Sequence, residues 1–110
     1  MEPRKPFLCR LVATRPEMVV LATPEEDRIV GRHVTYLKSL TERGTVLLVG
    51  RTQNPDPTAF GIHILLASSE AEARRLVDDD PAVGEGIMRA ELCSYKIALL
   101  ARPEHFPPPG

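Results

Sequence analysis

Two side chains of this sequence are suited to proton transfer, and they are His33 and Asp80. A neutral imidazole that a carboxylate orients is a general base suited to pH 7, because it can take a proton from a phenol or an activated carbon. Such a His-Asp dyad would support an elimination or an isomerisation. The two residues are far apart along the chain, so only a fold that brings them together would form the dyad.

Each of these two residues also has a structural interpretation. His33 falls in the middle of the apolar stripe of a predicted helix, where it would be a core histidine bonded to a backbone carbonyl. An unpaired imidazole there would carry a desolvation penalty of roughly 1–3 kcal/mol. Asp80 precedes Pro81 at the start of a short predicted helix, where it would act as an N-cap. A carboxylate that accepts backbone N–H bonds can also orient an imidazole, so the two roles of Asp80 are compatible.

The remaining polar candidates are one arginine, one histidine and two cysteines. Arg51 follows the second predicted strand and would bind an anionic oxygen of a substrate, the alternative being a solvated loop arginine. His63 lies on the third predicted strand and is expected to face a dimer interface. It has no Cys, Asp or second His at ligand spacing, and Cys9 and Cys93 lack the C-x-x-C spacing of metal or redox motifs. We expect both cysteines to be buried thiols, and we expect no metal and no cofactor.

Length and composition restrict the class of protein. The chain has 110 residues and a net charge of −1, which fits one small domain and gives no basic field for nucleic acid or an anionic membrane. No apolar run approaches the ~20 residues that span a bilayer, and no apolar region follows the N-terminus, so we expect a cytoplasmic protein. The expected domain covers residues 1–101. A proline-rich tail at 102–110 is expected to be unstructured.

The pattern along the chain predicts the element order β-α-β-β-α-β. Apolar and β-branched runs predict strands at 7–13, 45–49, 60–67 and 88–100. Capping-box patterns at Thr23 and Ser69 predict two helices, one that continues to about Arg43 with Gly44 as its left-handed end, and one that stops at 78–81. Within the second helix Glu70 is expected to pair with Arg74. This order is typical of a ferredoxin-like α+β fold, a four-stranded antiparallel sheet with both helices on one face.

A sheet with two helices on one face leaves its other face uncovered. The third predicted strand places Ile62, Ile64 and Leu66 on one side and His63 and Leu65 on the other, so both faces carry apolar groups. We therefore expect a homodimer that buries the uncovered face.

The order of the motifs resembles the YCII-related (YciI-like) family. The first half carries the H-x-x-Y-L-x-x-L pattern at 33–40, followed by Gly44 and the run 47–50. The second half carries the run 64–69, Glu72-Ala73, Asp79-Asp80-Pro81-Ala82-Val83 and Gly86. The resemblance covers roughly residues 7–100, and the order and spacing of the motifs are what make it specific.

This resemblance implies a dimeric α+β barrel with pockets between sheet and helices. It also implies that His33 and Asp80 form the dyad that is the proposed active site of the family, in which one branch acts as a dehydrochlorinase on a chlorinated hydroxyhydroquinone. The sequence departs from the family at Arg51, where Pro commonly follows the glycine, and at Ser94-Tyr95, where Pro-Trp or Pro-Phe is frequent. Both departures reshape the expected pocket, so the resemblance does not imply the substrate of that branch for this chain.

Three functions remain open on the sequence. The first is a cofactor-independent lyase, dehydrochlorinase or isomerase that uses the His33–Asp80 dyad on a small, phenolic substrate. The second is a non-catalytic dimeric module that binds a small molecule or another protein, with His33 as a core residue. The third is a monooxygenase-like activity, for which the sequence offers no haem-ligand context. Fold analogy alone does not choose among them.

Overall fold

Four strands form one antiparallel sheet in the computed structural model, which describes residues 3–110. They are β1 (Lys5–Ala13), β2 (Val46–Arg51), β3 (Gly61–Ala67) and β4 (Met88–Ser94), in the spatial order β2-β3-β1-β4. Three helices connect them: α1 (Pro24–Glu42), α2 (Glu70–Asp78) and the single turn α3 (Pro81–Gly84). The predicted ferredoxin-like α+β fold is confirmed. No helix among the described residues is long and apolar enough to cross a membrane.

Local sequence determines both ends of α1. The Thr23 hydroxyl accepts a hydrogen bond from the Glu26 N–H, and the Glu26 carboxylate accepts one from the Thr23 N–H, which completes the predicted capping box. Beyond the C-cap, Gly44 has a φ of 75°, a left-handed conformation that favours glycine. Between these caps, His33 lies on the buried stripe of α1 with Ile29, Leu37 and Leu40.

Glu26 also ties the preceding segment to α1. Its carboxylate pairs with Arg15 through two contacts, 2.9 Å from Nε to Oε2 and 2.5 Å from Nη2 to Oε1. The same guanidinium donates to the carbonyl oxygen of Leu21 at 3.0 Å. The connection between β1 and α1 is thereby held against the start of the helix.

The start of α2 differs in two details from the prediction. The Ser69 hydroxyl accepts from the Glu72 N–H at 3.1 Å, but the Glu72 carboxylate bonds to the Ser68 hydroxyl, so the capping box is not reciprocal. The predicted Glu70–Arg74 pair does not form either. Arg74 lies 4.0 Å from Asp78, one turn nearer the helix C-terminus. Arg74 and Asp78 are four residues apart, so they are neighbours on the helix surface.

The helices cover one face of the sheet. This helix-covered face and the helices together bury the core, which consists of Phe7, Cys9, Leu11, Val46, Leu65 and Ala67 from the strands with Leu37, Leu40, Ala73 and Val77 from the helices. The predicted alternation along β3 is confirmed. The expected placement of His63 at a dimer interface is wrong, because His63 shares the helix-covered side with Leu65 and is only 3% exposed.

We call the opposite side the open face, defined by Leu8, Leu48, Ile62, Ile64 and Leu66. All five of these apolar side chains remain partly or fully exposed in the single chain. Cys93 pairs with Leu8 across β1 and β4 and is exposed, so the expectation that both cysteines are buried holds only for Cys9. Cys93 lies on the edge strand β4, on the same side of the sheet as Leu8 and away from the helices, and this position accounts for its exposure.

The last strand is shorter than predicted. β4 ends at Ser94, which pairs with Phe7, and the Tyr95 N–H still donates to the Pro6 carbonyl at 3.1 Å. Pro6 has no N–H to return, and β1 begins only one residue earlier, so residues 95–100 have no strand beside them. The prediction of a strand to residue 100 rested on hydrophobicity alone. Within the stretch that is not a strand, Leu99 is 93% exposed. The domain boundary at 101 stays a prediction, and within 102–110 one short 3₁₀ turn forms at Pro103–His105.

Candidate functional site

The fold brings His33 and Asp80 into direct contact. His33 lies on the buried stripe of α1, and Asp80 is the N-cap of α3, 47 residues further along the chain. The Nδ1 atom of His33 lies 2.7 Å from Oδ2 and 2.9 Å from Oδ1 of the carboxylate. The two residues that the sequence selected are therefore neighbours in the structure.

Asp80 is held in place by the turn that it begins. Its Oδ1 atom accepts a hydrogen bond from the Ala82 N–H at 2.9 Å, and its own N–H donates to the Val77 carbonyl at 3.1 Å. Pro81 occupies the first helical position, where a missing N–H costs nothing. The side chain is 2% exposed. Asp80 thus caps α3 and faces His33 at once, as both of its sequence interpretations required.

The hydrogen-bond pattern decides which histidine nitrogen is available. An ionised carboxylate only accepts hydrogen bonds, so Nδ1 of His33 is the donor in this contact. In neutral imidazole the other nitrogen, Nε2, is then the acceptor, and no side chain or backbone group of residues 3–110 bonds to it. The His33 side chain keeps 11% of its surface exposed. This arrangement is the one a general base requires, with one nitrogen oriented and the other free.

Two further polar residues, Cys9 and His63, belong to the same buried region. They are direct partners in the β1–β3 register and stand on the helix-covered face. Burial raises the pKa of the Cys9 thiol to about 12, and the negative charge of Asp80 adds to the shift. Burial lowers the pKa of His63 to about 4, against the opposing effect of Asp80 and with a further small decrease from His33. Cys9 is therefore a protonated thiol and His63 a neutral imidazole at pH 7.

His63 is not fully satisfied by the protein. Its Nδ1 atom is buried and has no hydrogen-bond partner among the described residues. Buried polar groups are usually paired, because an unpaired one costs roughly 1–3 kcal/mol. No group of three or more His, Cys, Asp or Glu side chains in residues 3–110 is arranged to hold a metal ion.

Tyr36 fixes α1 relative to α2 close to the dyad. Its hydroxyl donates to the Leu76 carbonyl at 2.6 Å. Burial raises the pKa of Tyr36 to about 12, and the charges of Asp79 and Asp80 raise it further. The hydroxyl is therefore a structural donor that keeps its proton.

Arg51 borders a cavity at one edge of the sheet. It is exposed at the end of β2 and lines an open cavity of about 270 Å³ whose other lining residues are Leu48, Gly50, Thr52, Phe60 and Ile62. Arg51 forms no hydrogen bond or ion pair with His33 or Asp80. The predicted role of Arg51 in binding an anionic oxygen of a substrate stays a prediction.

Sequence reasoning missed Cys9 and His63 as members of the buried polar region. The alternation along β3 already placed His63 on the same side as Leu65. A leucine is typically buried, so Leu65 could have indicated that this side faces the helices. The neighbourhood of Cys9 and His63 depends on the register between β1 and β3, which no local pattern specifies.

Comparison with known proteins gives a family and a fold. The family model of the YCII-related domain matches residues 7–93. Among solved structures, the chain is similar to 5-chloro-2-hydroxyhydroquinone dehydrochlorinase from Burkholderia phenoliruptrix AC1100 in complex with 2,5-dihydroxybenzoquinone. That match has a TM-score of 0.60 and 19% identity, and it covers 82% of this chain and 93% of the other. No curated protein matches the chain.

Proposed function

Because the chain belongs to the YCII-related family, we propose that it is a cofactor-independent enzyme of the lyase or isomerase type that acts on a small phenolic substrate. His33 is the general base and Asp80 orients it. The observation that carries the proposal is the contact of 2.7 Å between His33 and Asp80, which leaves Nε2 as the free nitrogen. The similar dehydrochlorinase supports the class of substrate. The compound in its name, 5-chloro-2-hydroxyhydroquinone, and its bound ligand, 2,5-dihydroxybenzoquinone, are both hydroxylated six-membered rings.

The proposed chemistry begins with one proton transfer. Nε2 of His33 takes the proton of a ring hydroxyl while Nδ1–H keeps its bond to Asp80, so the imidazolium that forms is stabilised by the carboxylate. Return of that proton to a ring carbon gives the keto tautomer, which completes an isomerisation.

A substrate with a halogen on that carbon can react further. His33 takes the proton of a second, conjugated hydroxyl as the carbon–halogen bond breaks, and the halide leaves with the bonding pair. The ring becomes a quinone, and the balance is the loss of one HX. The same base therefore serves isomerisation and elimination.

The alternative is a non-catalytic module that binds a small molecule or a protein. Two observations favour it: Asp80 is required as the cap of α3, and the dyad is nearly closed, with Asp80 2% exposed. In that case the dyad would be a buried hydrogen-bonded pair that supports the core.

We also propose a homodimer that is formed through the open face, and Arg51 as a residue that binds an anionic oxygen of the substrate. The apolar side chains of the open face support the dimer, because a single chain leaves them uncovered. The cavity beside Arg51 supports a ligand at that edge of the sheet. Its walls include Leu48 and Ile62 of the open face, so in the proposed dimer the partner chain would border this cavity. Replacing Arg51 with Gln should raise KM, with Arg89→Gln on the opposite edge strand as the control.

The test of the enzymatic function measures proton transfer and halide release together. The protein is incubated with chlorohydroquinone in D₂O without oxygen. Deuterium at the ring carbons is followed by NMR, and chloride is followed by an ion-selective electrode. We expect both signals to exceed the rate without protein, and His33→Ala to abolish the excess. Equal rates for wild type and His33→Ala would support the non-catalytic module.

A further inference from the structure

The chain continues beyond β4 as an apolar segment without a neighbouring strand. We call residues 96–101 the C-terminal arm. The residue before the arm, Tyr95, still donates its N–H to the Pro6 carbonyl, but the arm itself makes no backbone hydrogen bond within residues 3–110. Leu99 is 93% exposed and Leu100 is 69% exposed, and Lys96 is the one charged residue of the arm. Free backbone groups beside exposed leucines are typical of a strand that lacks a partner.

The outer edge of β2 has the same two features. In the part of the chain that the structure describes, β2 pairs with β3 alone, and residues 47–49 are each between 45% and 49% exposed. Edge strands usually carry charges that prevent pairing with another chain. The other edge strand, β4, carries the exposed Arg89 and Glu91, whereas β2 has no charge before its last residue, Arg51. The edge of β2 is therefore open to a further strand.

The backbone of β2 presents hydrogen-bonding groups along this edge. The Thr52 N–H donates to the Phe60 carbonyl at 2.9 Å, so these two residues form a hydrogen-bonded pair at the end of the β2–β3 ladder. Hydrogen-bonded and non-hydrogen-bonded pairs alternate in antiparallel strands, so the N–H and C=O groups of Val49 and Arg51 point away from β3. The register shift of β2 lies before Leu48 and leaves this part regular.

The arm cannot pair with the edge of β2 in its own chain. The two edge strands, β2 and β4, lie on opposite sides of the sheet. Three strand spacings separate them, about 14 Å, and an extended chain uses about four residues to cross that distance. Pro103 follows in a 3₁₀ turn and has no N–H to continue a ladder. Only an arm from another molecule could lie along β2.

We propose that the C-terminal arm of one chain adds as a fifth strand to the edge of β2 in a second copy, which returns its own arm in the same way. The arm and β2 have six residues each, so both extend about 20 Å as strands. A reciprocal exchange is a closed two-fold arrangement that ends at two chains. This inference goes beyond the proposed function, because it involves neither His33 nor Asp80 and adds a second contact to the open face.

The experiment detects contacts between two copies of the full chain. Chains labelled with ¹³C and ¹⁵N are refolded together with unlabelled chains, at a concentration where sedimentation gives two chains. Isotope-filtered NMR should show nuclear Overhauser effects between the arm of one copy and residues 48–51 of the other. Amide exchange of the arm should also be slow. A dimer whose arm shows no such contacts, or contacts residues 48–51 of its own chain, overturns the exchange and leaves the open-face dimer standing. A wild-type monomer overturns both.

Proline substitutions separate strand addition from apolar packing. Alternate N–H groups of an added strand donate to β2, and proline removes one N–H. One of Leu99→Pro and Leu100→Pro should therefore weaken association about tenfold, and the other clearly less. Phe106→Ala, at a half-exposed residue beyond the arm, is the control and should not change association. Equal effects of the two prolines, or no effect of either, would contradict the added strand. Neither leucine is buried in the single chain, so both variants should fold.

Discussion

The carboxylate of Asp80 is shared between His33 and the backbone of Ala82. One oxygen lies 2.7 Å from Nδ1 of His33, and the other accepts the Ala82 N–H at 2.9 Å. A change at Asp80 therefore affects a helix cap and an imidazole together, whereas a change at His33 affects the imidazole alone. Variants at these two positions can separate folding from activity.

Replacing His33 with Ala should lower turnover of a phenolic substrate by roughly 10²–10⁴, the usual contribution of a general base. Asp80→Asn should also lower turnover, because Asn does not stabilise the imidazolium, yet it should keep the cap, since Asn and Asp are comparable N-caps. Steady-state kinetics on the substrate identified by deuterium exchange measures both effects. Normal activity of either variant would contradict the catalytic dyad.

Asp80→Ala should destabilise the fold as well. It removes the acceptor for the Ala82 N–H, a loss of about 0.5–2 kcal/mol in the free energy of unfolding, and leaves the His33 imidazole without its partner. Urea unfolding of Asp80→Ala and Asp80→Asn side by side measures the cap together with the contact to His33. If the two variants were equally stable, neither the cap nor the contact to His33 would contribute measurably.

His63 should make the stability depend on pH between 6.5 and about 4. Its pKa is lowered to about 4 by burial, while in the unfolded chain it is near 6.5, so the unfolded state binds the extra proton in this window. Stability is complete above pH 6.5 and falls with pH, by up to about 3 kcal/mol at pH 4. Urea unfolding of wild type at pH 7 and pH 4.5 should show the decrease.

The matched variants for this pH effect are His63→Leu and His105→Gln. His63→Leu should flatten the dependence between pH 6.5 and 4.5, and His105→Gln, in the exposed tail, should leave it unchanged. A slope that survives in His63→Leu would show that another group is responsible.

Glu26 should stabilise the protein at neutral pH and lose that effect in acid. The hydrogen bonds from the Arg15 side chain, and then the Thr23 backbone, lower the pKa of Glu26 to about 2, below its ordinary 4.5. The stabilisation is present above pH 4.5 and disappears as pH falls through about 2. Glu26→Gln keeps the capping box, so it should lower Tm at pH 7 but hardly at pH 2. Glu17→Gln, an exposed and more distant neighbour of Arg15 at 3.8 Å, is the control.

The open face should hold two chains together. Sedimentation equilibrium at micromolar concentration should give about twice the chain mass of 12.2 kDa. Ile64→Asp, in the middle of the open face, should shift the mass to one chain, and Val34→Asp, on the exposed surface of α1, should not. If wild type were a monomer across this concentration range, the proposed dimer would be wrong.

Local signals predicted the parts of the fold that depend on local energy. Thr23 and Gly44 set the ends of α1, and the apolar stripe between them places His33 on the inward side. Asp80-Pro81 likewise encodes its own cap. The contact between His33 and Asp80 came from family resemblance together with that inward rotation, because no local pattern brings together residues so far apart.

Features that depend on strand partners were predicted less well. The apolar run after Ser94 resembles a strand, but β1 begins at Lys5, next to Pro6, and offers no further partner. The exposure of Cys93 and the pairing of Cys9 with His63 follow from the register, which is a property of two strands together.

The double duty of Asp80 has an evolutionary consequence. Selection for folding alone would retain an aspartate that begins α3, even in a descendant with no remaining chemistry. His33 has no such protection, because a leucine on the same stripe of α1 would pack with Ile29 and Leu37 and leave no polar atom to satisfy. Descendants that lose the activity should therefore replace the histidine first and keep the aspartate, so the histidine is the better marker of function among relatives of this chain.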